Sequence, residues 1–246
     1  MANWSDPRPS ATPFGGATRA GTQDAAYDAG LRSYMLSVYN YMASGVLLTG
    51  IVALAFAYSG YAVAVFQTPL RWLITLAPLG FVFAMSFGQG RFSTGTLKSM
   101  FWGFAVAMGL SLSTIFLVYS PLAIAQAFFA TAAGFGALSL YGYTTKRDLS
   151  AFGAFLIVGL VGLIVASLIN LFVNSGPLGM VISIVGVLLF AGLTAYDTQR
   201  TKSLYFQVAG SGELVQKAVV MSALSLYLDF INMFLFVLRL FGGNRN

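Results

Sequence analysis

Seven apolar stretches of about 20 residues leave this chain few possible folds. A helix needs about 20 consecutive apolar residues to cross the hydrocarbon core of a bilayer. The connections between the stretches are short and carry turn residues, and Ser120–Pro121 divides one long apolar region because proline stops a helix at a turn. The sequence therefore predicts seven transmembrane helices, at residues 34–59, 70–88, 97–119, 122–143, 152–173, 178–197 and 219–241.

The composition indicates that most of the chain lies in the membrane. Apolar residues make up 58% of the 246 residues and charged residues only 8%, whereas a soluble domain carries about 25% charge. Residues 1–30 are rich in Pro, Gly, Ser, Thr and Ala and contain no apolar run, which is typical of a flexible N-terminal tail. We expect an all-α integral membrane protein with one domain, residues 31–246.

Histidine and cysteine are both absent. Their absence removes zinc sites built from Cys and His, haem ligation and His-based catalytic groups. The Gly-x-Gly-Asp motif of intramembrane aspartyl proteases is also missing, and the last helix has no lysine after Lys217 to form a retinal Schiff base. The sequence therefore predicts neither an enzyme nor a protein with a bound cofactor, and any metal would be a hard cation bound by oxygen.

The basic residues predict the orientation, because cytoplasmic loops are enriched in Lys and Arg. With the N-terminus inside, ten basic residues lie inside and three outside. The basic residues of the inside loops account for the net charge of +6, because they set the orientation and contact anionic lipid. We therefore expect no nucleic-acid partner. The inside residues are Arg8, Arg19, Arg32, Arg91, Lys98, Lys146, Arg147, Arg200, Lys202 and Lys217, and the outside residues are Arg71, Arg239 and Arg245. Whether the last helix spans fully is left open, since Arg239 and Arg245 fit poorly outside.

An acidic residue, Asp229, lies in the middle of the last apolar stretch, "ALSLYLDFINMFLFVLRLF". At 100° per residue it shares an arc of roughly 100° with four other polar residues, namely Ser222, Ser225, Asn232 and Arg239. An Asp at the centre of a membrane helix costs roughly 2.5–3.5 kcal/mol on insertion scales. We call these five residues the polar seam of the last helix. The polar seam favours a function for Asp229 over a purely structural hydrogen bond.

A second acid, Asp197 in "FAGLTAYDTQR", is predicted near the inner end of the sixth helix. Thr194 lies one turn before it and Arg200 one turn after. An acid at a helix end can also be an interfacial residue paired with a neighbouring arginine. Of the chain's seven acids, however, only Asp197 and Asp229 fall in predicted membrane segments, so the two are candidates for one site.

Three segments carry a resemblance to a known family. "SLYLDFINMFLFVLRLFG", "GLTAYDTQ" and "YGYTTKRDLS" closely resemble the Bax inhibitor-1 family, also called the transmembrane Bax inhibitor motif family, and above all its bacterial branch. The likeness runs from about Leu31 to the end of the chain. It implies a seven-helix bundle in which the last helix is central and surrounded by the other six.

The resemblance also implies a function, a pH-sensitive calcium leak channel of the bacterial inner membrane. Its pH sensor is a hydrogen-bonded pair of aspartates that closes the pore, matched here by Asp197 and Asp229. Arg91, in "SFGQGRF", is the match for an arginine latch, although these surroundings align less securely. The helix at residues 70–88 lacks the acid that some relatives carry there.

Electrostatic repulsion between two such carboxylates would allow the pair to act as a pH switch. Two carboxylates about 4 Å apart repel by about 4 kcal/mol at an effective dielectric of 20, so the pair holds one shared proton near neutral pH. Losing it drives the carboxylates apart unless a cation enters, and Ser225, Asn232 and Thr194 would complete a weak, transient calcium site. The predicted depths of the two acids differ by roughly 10 Å, so they meet only if the last helix begins near Lys217 or earlier.

Two functions therefore remain open at this point. The first is a cation leak channel gated by protonation. The second is a regulator that binds other membrane proteins, for example a modulator of a membrane-bound protease that acts through the N-terminal tail.

Overall fold

The computed structural model describes residues 16–242, with side chains from Asp28 onward. This part of the chain is helical and contains no strand. Its helices are α1 (Gly16–Tyr58), α2 (Tyr61–Phe66), α3 (Leu70–Gly88), α4 (Thr94–Leu112), α5 (Ile115–Val118), α6 (Pro121–Thr144), α7 (Ser150–Val173), α8 (Gly176–Val208) and α9 (Gly212–Gly242). Seven helical segments are long and apolar enough to cross a membrane, as the sequence predicts.

The predicted N-terminal tail, residues 1–30, is described only in part. Residues 1–15 lie outside the described residues, and α1 begins at Gly16. The predicted boundary between the tail and the membrane domain at residue 31 stays a prediction. The apolar part of α1 that could span the membrane begins at Asp28.

Serine caps and prolines set several helix ends. The hydroxyl of Ser120 accepts a hydrogen bond from the backbone N–H of Ala123, and Pro121 follows as the first residue of α6. Proline is favoured there because its missing N–H would have no partner in the first turn. The predicted division at Ser120–Pro121 is confirmed. A second division, between α4 and α5, was not predicted; there the hydroxyl of Ser113 donates to the carbonyl of Leu110 over 2.7 Å.

The last helix, α9, forms the centre of the bundle. Fourteen of its residues are buried, and it packs against α1, α4, α6 and α8, while α3 is held mainly by α4 and α7 mainly by α8. The prediction of a central last helix is confirmed. Four of the other long helices carry most of its contacts, rather than all six.

A buried polar contact ties α9 to α1 and α4. The hydroxyl of Tyr227 lies 2.7 Å from Oγ1 of Thr49, which itself donates to the carbonyl of Ala105 over 2.8 Å. Tyr227 is fully buried, and its ring meets that of Phe104 edge to face with centroids 4.9 Å apart. This side of α9 is therefore fixed by hydrogen bonds and aromatic packing together.

The connection between the last two helices corrects a predicted loop. The segment "QRTKSLYFQVAGSGE" lies between the helices predicted at residues 178–197 and 219–241, but most of it is helical, because α8 continues to Val208 and α9 begins at Gly212. The buried side chains in this extension, Thr198, Thr201 and Tyr205, recur at helical spacing. Tertiary packing thus continues both helices beyond their apolar cores.

Contacts between connections place three of them at one end of the bundle. Nζ of Lys98, at the start of α4, donates to Gln216 of α9 over 2.9 Å. Nζ of Lys202 on α8 donates to the carbonyl of Tyr143 near the end of α6, also over 2.9 Å. We call this end, formed by the α3–α4, α6–α7 and α8–α9 connections, the basic end. It carries six of the residues whose charges predict the cytoplasmic side, namely Arg91, Lys98, Lys146, Arg147, Lys202 and Lys217.

Candidate functional site

Asp229 is buried at the centre of the bundle, with 4% of its surface exposed. Among the described residues, nothing hydrogen-bonds its buried Oδ2 atom. A buried carboxylate oxygen without a partner is costly unless the group takes up a proton or meets a cation. Asp229 is therefore a place where a proton or cation would be stabilised.

Asp229 and Asp197 line the same cavity, which we call the acid cavity. It has a volume of about 610 Å³ and lies between α7, α8 and α9. Ser225, Asn232 and Arg200 also line it, while α7 contributes mostly apolar side chains such as Ile157, Leu160 and Ile164. The low polarity of this wall strengthens electrostatic interactions between the charged groups that face it.

A smaller cavity of about 280 Å³, the inlet cavity, adjoins the acid cavity on the side of the basic end. Ser86 and Gln89 from the end of α3 line it, together with residues of α8 and α9. Asp197, Arg200 and Ser225 line both cavities. The two cavities therefore adjoin at these three polar residues, between the basic end and Asp229.

The long hairpin of α8 and α9 brings the two acids to one cavity. Asp197 lies about three turns before the end of α8, and Asp229 nearly five turns after the start of α9. The sequence required α9 to begin near Lys217 or earlier, and its start at Gly212 meets that condition. Measured from the turn, the depths of the two acids still differ by about 9 Å, and among the described residues no hydrogen bond joins Asp197 to Asp229.

The predicted supporting residues are only partly brought together. Ser225 and Asn232 line the acid cavity beside Asp229, and Nδ2 of Asn232 donates to the carbonyl of Leu228 over 2.8 Å. Thr194 lines neither the acid cavity nor the inlet cavity. It is fully buried, and its hydroxyl donates to the carbonyl of Phe190 on the same helix. The seam of α9 thus faces the acids, whereas Thr194 does not.

Arg91, the predicted latch, lies in the α3–α4 connection with its side chain exposed. It lines neither cavity; the nearby Gln89 lines the inlet cavity instead. Arg200 is the cation that lines both cavities. Among the described residues, the ion pair with a separation below 4.0 Å joins Lys217 and Glu213. The position of Arg200 one turn after Asp197 could have pointed to its role. Because the helix was predicted to end at Asp197, Arg200 was assigned to the following connection instead.

The side chains at this site would suit a cation that binds only briefly. Within residues 28–242, no group of three or more His, Cys, Asp or Glu side chains is placed to hold a metal ion. The acid cavity offers two carboxylates with hydroxyl and amide oxygens, which are the ligand types that hard cations prefer. A set with so few charged ligands binds a cation weakly.

The comparisons with known proteins agree with this architecture. The family model described as "Inhibitor of apoptosis-promoting Bax1" matches residues 31–246. The chain belongs to the Bax inhibitor-1 family. Bacterial relatives cover almost the whole chain, so the family assignment includes α8, α9 and both acids.

Three relatives show the extent of the match. An uncharacterized protein of Rickettsia prowazekii is 45% identical over 226 residues, which cover 92% of this chain and 95% of that protein. One of Caulobacter vibrioides is 42% identical over 234 residues, covering 90% and 93%. The inner membrane protein YbhL of Escherichia coli is 44% identical over 220 residues, covering 88% and 94%.

Proposed function

We propose that this Bax inhibitor-1 family protein is a calcium leak channel of the bacterial inner membrane, gated by protonation of Asp197 and Asp229. One observation carries the proposal. Asp229, almost fully buried and with its Oδ2 unpartnered among the described residues, shares a cavity with Asp197, and that cavity adjoins a polar inlet. The inner-membrane location is supported by the name of the Escherichia coli relative.

In the closed state the pair of carboxylates holds one proton, so it carries a single negative charge. Loss of that proton leaves two negative charges, which repel by about 4 kcal/mol at 4 Å and an effective dielectric of 20. The repulsion widens the gap between the helices, and the same two charges attract Ca²⁺. We therefore expect calcium flux to rise with pH.

Arg200 supplies the positive charge at these two cavities. Its guanidinium lies one turn from Asp197 and lines both cavities, so it favours the ionised carboxylates through the attraction of opposite charges. Arg91, in contrast, would need to move in order to reach the pair. The proposal includes no catalytic step and no bound cofactor, because calcium is the transported ion.

The test is calcium entry into proteoliposomes that contain a calcium-sensitive dye and the purified full-length protein. Flux is measured from about pH 5 to pH 9, which brackets the usual range of perturbed carboxylates. We expect flux above that of protein-free liposomes, with a sigmoidal rise as pH increases. Flux equal to that of empty liposomes at every pH would reject the channel, and flux independent of pH would reject the gate.

The N-terminus is proposed to lie in the cytoplasm, because the basic end holds the positively charged connections. The alternative function, a regulator that binds other membrane proteins, stays a prediction. Residues 1–15 of the tail through which it would act lie outside the described residues.

A further inference from the structure

A groove runs between α1 and α6, on the side of α9 away from the two acids. Both helices pack against α9 but barely touch each other. Two cavities of about 490 and 400 Å³ follow one another along the gap, between residues 32–54 of α1 and residues 128–143 of α6. Phe230 of α9 lines the second cavity. We call this feature the α1–α6 groove.

The groove is apolar and opens to the outside of the bundle. Its walls include Leu36, Leu47 and Leu140, each more than half exposed. Two glycines leave space along it, since a Cβ added at Gly50 or at Gly136 would meet nothing within 4 Å. In a membrane protein, an apolar groove with an open side faces the lipid chains.

The end of the groove nearest the basic end is positively charged. Arg32 lines the first cavity directly, and no carboxylate lies within 4.0 Å of it among the described residues. Tyr143 lines the opposite wall, and Nζ of Lys202 sits 5.0 Å from the centre of its ring. Arg32 therefore borders this end of the groove, and Lys202 lies against Tyr143, whose carbonyl accepts a hydrogen bond from its ammonium.

The length of the groove suits a lipid acyl chain that enters from the basic end. From Arg32 to Leu54 the groove extends about 33 Å along α1, close to the roughly 30 Å hydrocarbon core. An acyl chain reaches from the membrane surface to the bilayer centre, so one chain covers about half of the groove.

We propose that the α1–α6 groove binds a phospholipid with an anionic headgroup from the leaflet at the basic end. The headgroup phosphate pairs with Arg32 and lies near Lys202, and one acyl chain runs past Gly136 toward Phe230. A zwitterionic lipid offers the same chain, but its own ammonium offsets the attraction of the phosphate for these cations. This site is independent of the proposed channel, because it lies on the other side of α9.

The test is native mass spectrometry of the full-length protein released from detergent. The protein is first incubated with equal amounts of phosphatidylglycerol and phosphatidylethanolamine that carry identical acyl chains. We expect one retained phosphatidylglycerol in preference to phosphatidylethanolamine. In Arg32→Gln that preference should fall about fivefold, since one cation near the surface contributes about that factor. Lys146→Gln, which removes a charge at the same end but away from the groove, should keep the preference.

A second pair of variants tests the acyl chain. Gly136→Leu fills the open space in the first cavity, whereas Gly134→Leu adds the same side chain on another face of α6, also where a Cβ meets nothing within 4 Å. We expect Gly136→Leu alone to lose the retained lipid, with both variants keeping the helical circular dichroism of the wild type. Equal retention of the two lipids by the wild type, equal loss in both glycine variants, or a dimer without lipid in place of the lipid-bound monomer would overturn the proposal.

Discussion

Arg200 and Asp197 lie one helical turn apart on α8, and both side chains line the acid cavity and the inlet cavity. Among the described residues, no other basic side chain lines either of these two cavities. The charge of Arg200 therefore acts on the two acids more directly than that of any residue in the α3–α4 connection.

Replacing Arg200 with Gln should shift the pH of half-maximal calcium flux upward by about one unit. The physical reason is that a nearby cation favours ionised carboxylates, and in its absence a higher pH is needed to remove the shared proton. The measurement is flux into dye-loaded proteoliposomes across pH. Arg91→Gln is the matched variant: a shift in Arg91→Gln without one in Arg200→Gln would assign the latch to Arg91, as the family resemblance implies.

Replacing Asp229 with Asn should abolish the rise of calcium flux with pH. Asn keeps the shape of the side chain and can donate a hydrogen bond, so the packing of α9 is kept. It cannot ionise, so the second negative charge never forms. Flux is compared in the same proteoliposomes, with Asp148→Asn as control, because Asp148 is an exposed acid in the α6–α7 connection.

If Asp229→Asn conducts with an unaltered pH profile, Asp229 is a structural residue and the proposed gate is wrong. Asp148→Asn should retain the wild-type profile. The pKa of Asp148 is lowered by hydrogen bonds from Ser150, and its side chain lies outside both cavities.

Removing Thr49 should destabilise the bundle more than removing the hydroxyl of Tyr227. Tyr227→Phe loses one hydrogen bond, which is worth about 0.6 kcal/mol between membrane helices. Thr49→Val leaves the buried hydroxyl of Tyr227 without its partner, at a cost of about 1–3 kcal/mol. Thermal unfolding in detergent measures both, and the double variant should recover part of the loss in Thr49→Val. Equal losses in the two single variants would mean that this contact is not what holds α9 to α1.

Single cysteines can determine the orientation without background, since the chain has none of its own. A cysteine at Ser10 or Thr145 should resist an impermeant thiol reagent applied to intact cells, whereas one at Asn174, in the connection at the opposite end, should react. The expectation rests on the ten basic residues assigned to the inside. Labelling of Thr145→Cys from outside would reverse the proposed topology.

The sequence predicted the spans well because each is a long apolar run, and a bilayer-spanning helix must satisfy its backbone hydrogen bonds internally. Hydropathy does not reveal a helical extension that is stabilised by packing against other helices rather than by the lipid environment. The extension of α8 to Val208 carries Thr198, Thr201 and Tyr205 toward the core, a helical spacing within a polar segment. That spacing could have been recognised before the structure was known.

The two acids of the site could be predicted from the sequence, whereas the residues that surround them could be predicted less well. Asp197 and Asp229 stand out because charge is rare in apolar helices. The rotation of Thr194 away from the cavity depends on how α8 packs against its neighbours, which no periodicity within one helix reports. The entry of Gln89 into the inlet cavity depends on the end of α3, a contact between helices far apart in sequence.

The hairpin of α8 and α9 also has a mechanical consequence. Beyond Asp197, α8 continues for about 16 Å to the three-residue turn at Ala209–Ser211. Each acid is thus joined to that turn by an uninterrupted stretch of helix. Because this turn joins both helices, a tilt of the turn would shift α8 along α9 and change the separation of the two acids. A partner protein bound at the turn would then act on the proposed gate, and the two proposed functions, regulator and channel, would be compatible.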